Sequence, residues 1–288
     1  MSLSHYFAQE PVFNPAAVGK ESKLNVTGSY ALDFAGFEHN PRTMIVAADM
    51  PLFMLKHYHG VGVQMTSDKL GLFDHQRFAV QYALKTKLLG GMLGIGVQVG
   101  MLSEKFNGSQ TDTEEGNDPA IPTTDVSGSS LDVGVGLYYV HGDWYAGASV
   151  AHATAPQVTL GDSYLLDIDR TYYLTGGYNI KLRNPLITIH PTVLCMYDGS
   201  DFRANISGRV ELHDDNKKLF AGATYSPQHS AAAFVGGLFH GITVSYSYEA
   251  YTSMPDLKSG AHEIVLQYRL DMNLYKKGRN RHKSVRYL

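Results

Sequence analysis

The clearest signal in the chain is a period-2 alternation of apolar and polar residues, the pattern of a strand whose two faces meet different solvents. Phe202, Ala204, Ile206, Gly208, Val210 and Leu212 alternate with Arg203, Asn205, Ser207, Arg209, Glu211 and His213. The same rhythm places Ile242, Val244, Tyr246 and Tyr248 against Thr243, Ser245, Ser247 and Glu249. It recurs near both ends of the chain, over 23–33 and 261–271. In all, the pattern predicts fourteen strands, near 23–33, 42–51, 58–67, 74–86, 91–102, 129–140, 143–152, 169–179, 186–198, 202–213, 217–226, 230–239, 242–250 and 261–271. Several span about ten residues, the length at which a tilted strand crosses the hydrocarbon layer. An even count suits a bacterial single-chain barrel.

Connector lengths give an independent test. The predicted connectors after odd-numbered strands include 34–41, 103–128, 153–168 and 251–260, whereas those after even-numbered strands are short, such as 141–142 and 240–241. A soluble sandwich has no reason to obey that parity; a barrel with long loops on one side does. The expectation is an all-β fold: an antiparallel transmembrane β-barrel of about 14 strands over 23–271, after an N-terminal segment at 1–22 and before a basic tail at 272–288. Parity places both termini in the periplasm and the long loops outside the cell.

Composition narrows the choice without making it. Charged residues are 18% of the 288, below the roughly 25% usual in soluble domains. Mean hydropathy is nevertheless slightly negative, and no apolar run reaches the ~18 residues of a transmembrane helix. The richest stretch, 88–101, is broken by Gly90, Gly91, Gly94 and Gly96. Rings at strand ends, Tyr138, Tyr139, Trp144 and Tyr145 around one turn and Tyr246, Tyr248 and Tyr251 elsewhere, suit interfacial girdles. A net charge of -3 gives no reason to expect nucleic acid, and the lone Cys195 forms no internal disulfide. No n-region and h-region of a signal peptide is visible at Met1. Because an outer-membrane protein must be exported, the chain is read as its mature form.

Chemistry-bearing motifs are weak. His57 and His59 lie two apart without a third ligand at a recognisable spacing, and the acidic loop Asp112, Glu114, Glu115, Asp118 and Asp125 lacks the ordered Ca²⁺-loop pattern. Ser149 with His152, and Ser230 with His229, lack a Gly-x-Ser-x-Gly elbow. Asp201, Arg203, Arg209 and Glu211 share one face, where a lumen would have them pair or line water. The expectation is therefore no enzyme, no catalytic residues, no cofactor and no metal. Two regions remain candidates for partner binding. One is the tail, with Lys276, Lys277, Arg279, Arg281, Lys283 and Arg286; the other is the N-terminal segment, with Phe7, Phe13, Asn14 and Pro15. Tyr6, Phe7, Val12 and Phe13 are costly to leave in water, which favours packing against the inner wall or the periplasmic mouth. Fourteen strands leave an interior that side chains alone do not readily fill.

The opening, Tyr6-Phe7-Ala8-Gln9 through Phe13-Asn14-Pro15-Ala16-Ala17-Val18-Gly19, resembles that of mature PorP/SprF proteins of the type IX secretion system. Further matches follow in the same order: Asn40-Pro41-Arg42-Thr43, Gly60 to Val63, Ser67 to Gly71, Leu93 to Val97, Asn117 to Ala120, Val133 to Tyr139 and the closing strand Ala261 to Tyr268. The tail, ending Ser284-Val285-Arg286-Tyr287-Leu288, lacks the Cys-Pro-Arg-type ending of some members. The resemblance implies an integral outer-membrane barrel of the type IX secretion and gliding machinery. It implies as partners periplasmic ring lipoproteins, a peptidoglycan-associated protein, secreted cargo such as adhesins, and outer-membrane lipid and lipopolysaccharide. A channel for small solutes is the alternative from another class.

Overall fold

The computed structural model describes residues 4–35, 37, 40–110, 124–161, 164–214, 217–253 and 259–271. The basic tail therefore lies outside the described residues, as do Asp112, Glu114, Glu115 and the Asn117 to Ala120 motif. The strands are β1 (Lys23–Leu32), β2 (Arg42–Met54), β3 (His57–Leu70), β4 (Phe73–Leu88), β5 (Gly91–Asn107), β6 (Asp125–His141) and β7 (Trp144–Ala151). They continue as β8 (Gln157–Leu160), β9 (Tyr164–Asp167), β10 (Thr171–Tyr178), β11 (Ile180–Lys181), β12 (Ile187–Tyr197), β13 (Phe202–Asp214), β14 (Lys217–Ser226), β15 (Ser230–Phe239), β16 (Ile242–Tyr251) and β17 (Ala261–Asp271). Neighbours pair antiparallel in chain order. β1 joins β17 from Lys23↔Asp271 to Leu32↔His262, and β10 joins β12. The ladder thus closes without an edge into a barrel of fourteen strands, namely β1–β7, β10 and β12–β17.

The wall inverts the usual rule of burial. On β13, Ile206 and Val210 are 54% and 43% exposed, while Asn205 and Glu211 are 5% and 3% exposed. On β5, Ile95, Val97 and Val99 are exposed and Gln98 is buried. Apolar residues out and polar residues in are what a lipid face and a wet lumen require. The backbone donors and acceptors are consumed by the closed ladder, as hydrocarbon demands.

Two loop expectations change. The 103–128 connector shrinks, because β5 and β6 keep pairing out to Asn107↔Asp125. At 17 residues, β5 measures roughly 55–60 Å, far more than an apolar band of about 25 Å needs even when tilted. Beyond the lipid the outward positions Ser103, Lys105 and Asn107 are polar, so the hydrophobic alternation that marks a strand in sequence disappears while its hydrogen bonds continue. The 153–168 connector contains the β8–β9 hairpin, which buries Val158 and Leu160. Its Thr159 carbonyl lies so close to Gly128 that a Cβ there would stand 2.0 Å from the oxygen.

The aromatic expectation also needs correcting. Tyr139 and Trp144 stand together on the outer surface, ring centroids 5.4 Å apart, as girdle residues do. Their neighbours Tyr138 and Tyr145 have the opposite parity and stack on each other inside the lumen.

Candidate functional site

Residues 4–22 do not lead into the barrel from outside. They fold within it, as a turn of 3-10 helix (Tyr6–Ala8), a four-residue helix α1 (Glu10–Phe13) and a second 3-10 turn (Pro15–Ala17). Ser4 Oγ donates to Glu249 Oε2 at 2.9 Å, and the His5 amide donates to Glu263 Oε2 at 3.2 Å. Both carboxylates sit toward the long-loop ends of β16 and β17. The segment then descends to Lys23 at the opposite end, where the connectors are two residues long except for 179–186. The described chain thus begins inside the barrel, not at the short-turn rim.

Sequence explains why this segment folds as a plug. Tyr6, Val12, Phe13, Ala16, Ala17 and Val18 are all buried. Phe7 is half-buried against Phe220 and Phe234. Fully burying a Phe or Val side chain is worth about 1.5–3 kcal/mol. Asn14 is a local organiser: its Oδ1 accepts from the Ala16 amide at 2.9 Å, while its Nδ2 donates to the Leu137 carbonyl at 3.0 Å. Pro15 starts the second turn, where its missing N–H costs nothing.

An irregular segment inside a barrel must still satisfy its backbone carbonyls, and lumen-facing side chains do so. Gln267 donates to the Ala8 carbonyl at 2.8 Å, Gln81 to Pro11 at 2.6 Å and Ser149 to Phe13 at 2.7 Å. Gln9 Nε2 reaches Glu263 Oε1 at 2.8 Å, and Tyr6 Oη shares a hydrogen bond with Thr192 Oγ1 at 2.7 Å. Glu10 accepts from Tyr138 Oη at 2.9 Å and pairs with Lys20.

The glycines complete the fit. At Gly60 a Cβ would stand 2.1 Å from the Val18 carbonyl oxygen, at Gly96 2.2 Å from the Ala16 nitrogen, and at Gly136 2.2 Å from Asn14 Oδ1. The Gly-Val-Gly-Val and Gly-Ile-Gly-Val repeats thereby acquire a reading on both faces. Val63, Ile95, Val97 and Val135 point outward to lipid, while the glycines let the plug's backbone touch the wall. The repeats are visible in the sequence, but nothing local says what approaches the bare face.

Of the sequence candidates, Phe13, Asn14 and Pro15 are buried and Phe7 half-buried, all against the inner wall. Lys276, Lys277, Arg279, Arg281 and Arg286 lie outside the described residues. Of the histidine pair, His59 binds locally: its Nδ1 meets Tyr82 Oη at 2.7 Å and its Nε2 meets the Met54 carbonyl at 3.0 Å. Among the described residues no group of three or more His, Cys, Asp or Glu is arranged to hold a metal ion. Ser149 serves the plug, and His152 pairs with Asp132 at 2.9 Å. Arg209 lies 2.9 Å from Glu211, so these two luminal charges pair as their shared face suggests; Arg203 instead reaches Glu249 of β16 at 2.7 Å, and Asp201 is exposed 4.0 Å from His229.

Sequence reasoning missed a cavity of about 320 Å³ between plug and wall in the short-turn half of the lumen. Phe7, Glu10, Lys20 and Glu21 form its inner side, and Arg209, Glu211, Lys218 and Arg269 its outer side.

Comparison with known structures places this barrel among outer-membrane barrels. The CymD monoaromatic hydrocarbon channel superposes with a TM-score of 0.53 at 10% identity, covering 94% of this chain and 95% of that one. A Pseudomonas aeruginosa FadL homologue gives 0.54 at 10% identity, covering 91% and 93%. At such identity the likeness concerns the fold alone. No curated protein matches the sequence. The family model for the type IX secretion system membrane protein PorP/SprF matches residues 1–268. An integral outer-membrane barrel, closed around its own N-terminal segment and matched over nearly its whole length, this chain belongs to the PorP/SprF family of type IX secretion system membrane proteins.

Proposed function

We propose that this barrel works as a non-conducting, partner-binding component of the type IX machinery rather than as an enzyme or an open pore. The observation that carries the reading is the plug. Residues 4–22 run through the lumen and are held by side chains from strands all round the wall. A barrel of this size without such a filling approaches the open porins. In planar bilayers the intact protein should show no steady open-pore conductance, and deletion of residues 4–19 should create one. Steady conductance by the intact protein sinks the proposal.

With the lumen occupied, partner recognition falls to the ends of the barrel. On the loop side the long β5–β6 extension and the β8–β9 hairpin form the outer surface. On the other side the tail continues from Asp271, and Lys276, Lys277, Arg279, Arg281 and Arg286 give it a charge suited to acidic surfaces of periplasmic ring or peptidoglycan-associated subunits. Phe7, Phe13, Asn14 and Pro15 act there indirectly, by fixing the plug from which β1 emerges. Cargo and subunit binding should map to these two ends. Copurification after removal of residues 275–288 tests the periplasmic half, and undiminished recovery of periplasmic components overturns it.

The rival role, a channel for small solutes, draws support from the cavity beside the plug. The same bilayer measurement separates the two roles.

A further inference from the structure

We propose that the luminal cavity beside the plug is a binding site for a single carboxylate group, entered from the short-turn end of the barrel. Its wall residues lie toward the short-turn ends of their strands, including Tyr145 at the start of β7, Lys218 at the start of β14, Thr243 at the start of β16 and Arg269 at the end of β17, with Thr192 at the middle of β12 marking the inner limit. Its volume of about 320 Å³ is at the small end of ligand pockets, enough for a terminal residue or a small acid.

Charge selects the ligand. Lys20, Arg209, Lys218 and Arg269 line the space against Glu10, Glu21 and Glu211, which leaves one cation in excess. Each acid is already committed. Glu10 holds Lys20 and the Tyr138 hydroxyl. Glu211 faces Arg209 at 2.9 Å, Lys218 at 2.6 Å, and His190 and His213 at 3.3 and 3.1 Å. Glu21 reaches Arg269 only at 3.7 Å.

The arginines retain unused donors. Arg269 Nε is buried without a hydrogen-bond partner, and Arg209 Nε approaches Glu211 without the alignment of a hydrogen bond. His190 shares Nδ1 with Asn179 Oδ1 at 2.6 Å and turns Nε2 toward Glu211 at 3.3 Å, so it offers the ligand no free donor. The Arg209 guanidinium is fixed 4.1 Å from the Phe7 ring centroid, so a plug residue orients it. Rigid guanidinium forks with free N–H groups match a planar carboxylate. One excess charge suits a monoanion better than a phosphate dianion, which three nearby glutamates would repel. Nothing in this assignment depends on the secretion role.

The test is calorimetric titration of the full-length protein in detergent with an N-acetylated free-acid tripeptide of small apolar residues, its C-amidated twin, and inorganic phosphate. The free acid should bind at least about tenfold more tightly than the amide, the scale of one charge-assisted hydrogen-bonded pair. Arg269→Gln, verified as folded by heat-modifiable migration, should erase that preference. If Arg269→Gln does not fold, Arg269→Lys reads the same site by keeping the charge and losing the fork, and the preference should shrink. Equal affinity for acid and amide, no binding of either, or a preference untouched by the substitution overturns the proposal. Tighter binding of phosphate than of the free acid overturns it as well.

Discussion

The two halves of the barrel wall meet the same plug in opposite ways. On β3, β5 and β6 the lumen face opens at glycines: Gly60 and Gly96 let the backbone of Val18 and Ala16 press directly on the wall, and Gly136 admits the Asn14 side chain. On β12 to β17 the lumen face carries Thr192, Arg209, Lys218, Phe220 and Arg269, which reach inward and leave a polar cavity between themselves and Phe7, Glu10 and Lys20. Both halves show the same apolar alternation outside. What differs is how the inner face meets the plug: glycines on one side admit its backbone, while longer side chains on the other enclose the charged cavity. The glycine sector works by shape, and the charged sector by electrostatics across a partly wet gap.

The largest blow to this asymmetry comes from Gly60→Val or Gly96→Val. Backbone atoms stand 2.1 and 2.2 Å from the added Cβ, closer than any rotamer change relieves. Overpacking of this kind costs about 1–3 kcal/mol or more. The expected result is a barrel that still migrates as a folded, heat-modifiable species while residues 4–19 become accessible to protease and conductance appears. A plug that stays protected means the close fit is not what holds it.

Asn14→Ala comes next. It removes the acceptor of the Ala16 amide and the donor to the Leu137 carbonyl, and leaving such buried groups unmade costs about 1–3 kcal/mol each. Protease protection of the segment should fall, and the loss should exceed that of Phe7→Leu on the opposite side.

On the charged half, Phe7→Leu keeps apolar bulk but removes the ring beneath Arg209. A contact of this kind is worth about 0.5–2 kcal/mol. The plug should stay docked, while the free-acid affinity of the cavity drops severalfold. Loss of plug protection in this variant would show that the charged half also holds the plug mechanically.

The smallest effect is expected at Asp198, in the 198–201 turn between β12 and β13. The amides of Asp201 and Ser200, 2.8 and 3.0 Å from its Oδ1, hold its carboxyl below the ordinary carboxylate range. A depressed acid contributes stability above its unfolded pKa and loses it as pH falls through the lower folded value. Asp198→Asn should therefore weaken this turn near neutral pH and leave protection of the turn, read by hydrogen exchange, flat across the acid range. Plug protection should not change, and any change would mean that the loop end communicates with the lumen.

How much of this was legible beforehand follows from what alternation encodes. Phe202 to His213 announces both a strand and its two faces, because parity is local and lipid punishes a slip of one residue. Arg209 and Glu211 share a face by the same rule. The pairing of Arg203 with Glu249 is invisible, since it depends on Arg203 of β13 reaching past Ser226 of β14 and Ser230 of β15 to β16 along the inner wall. Position beside a turn groups Tyr138 with the girdle, while its parity relative to Tyr139 points it inward. The outer part of β5 carries no alternation because its outward residues Ser103, Lys105 and Asn107 are polar.

The sequence by itself determined the fourteen strands, the face each presents to lipid and the end that carries the long loops, all of which follow from a two-residue period and the distances between turns. It also marked residues 6–13 as too apolar for water. Only the tertiary structure decided where those residues go, that the glycine repeats form their seat, and that the far wall stands back around a charged cavity. Plug and wall are far apart along the chain, and only closure of the barrel, fixed by the joining of β1 to β17 and β10 to β12, brings them together.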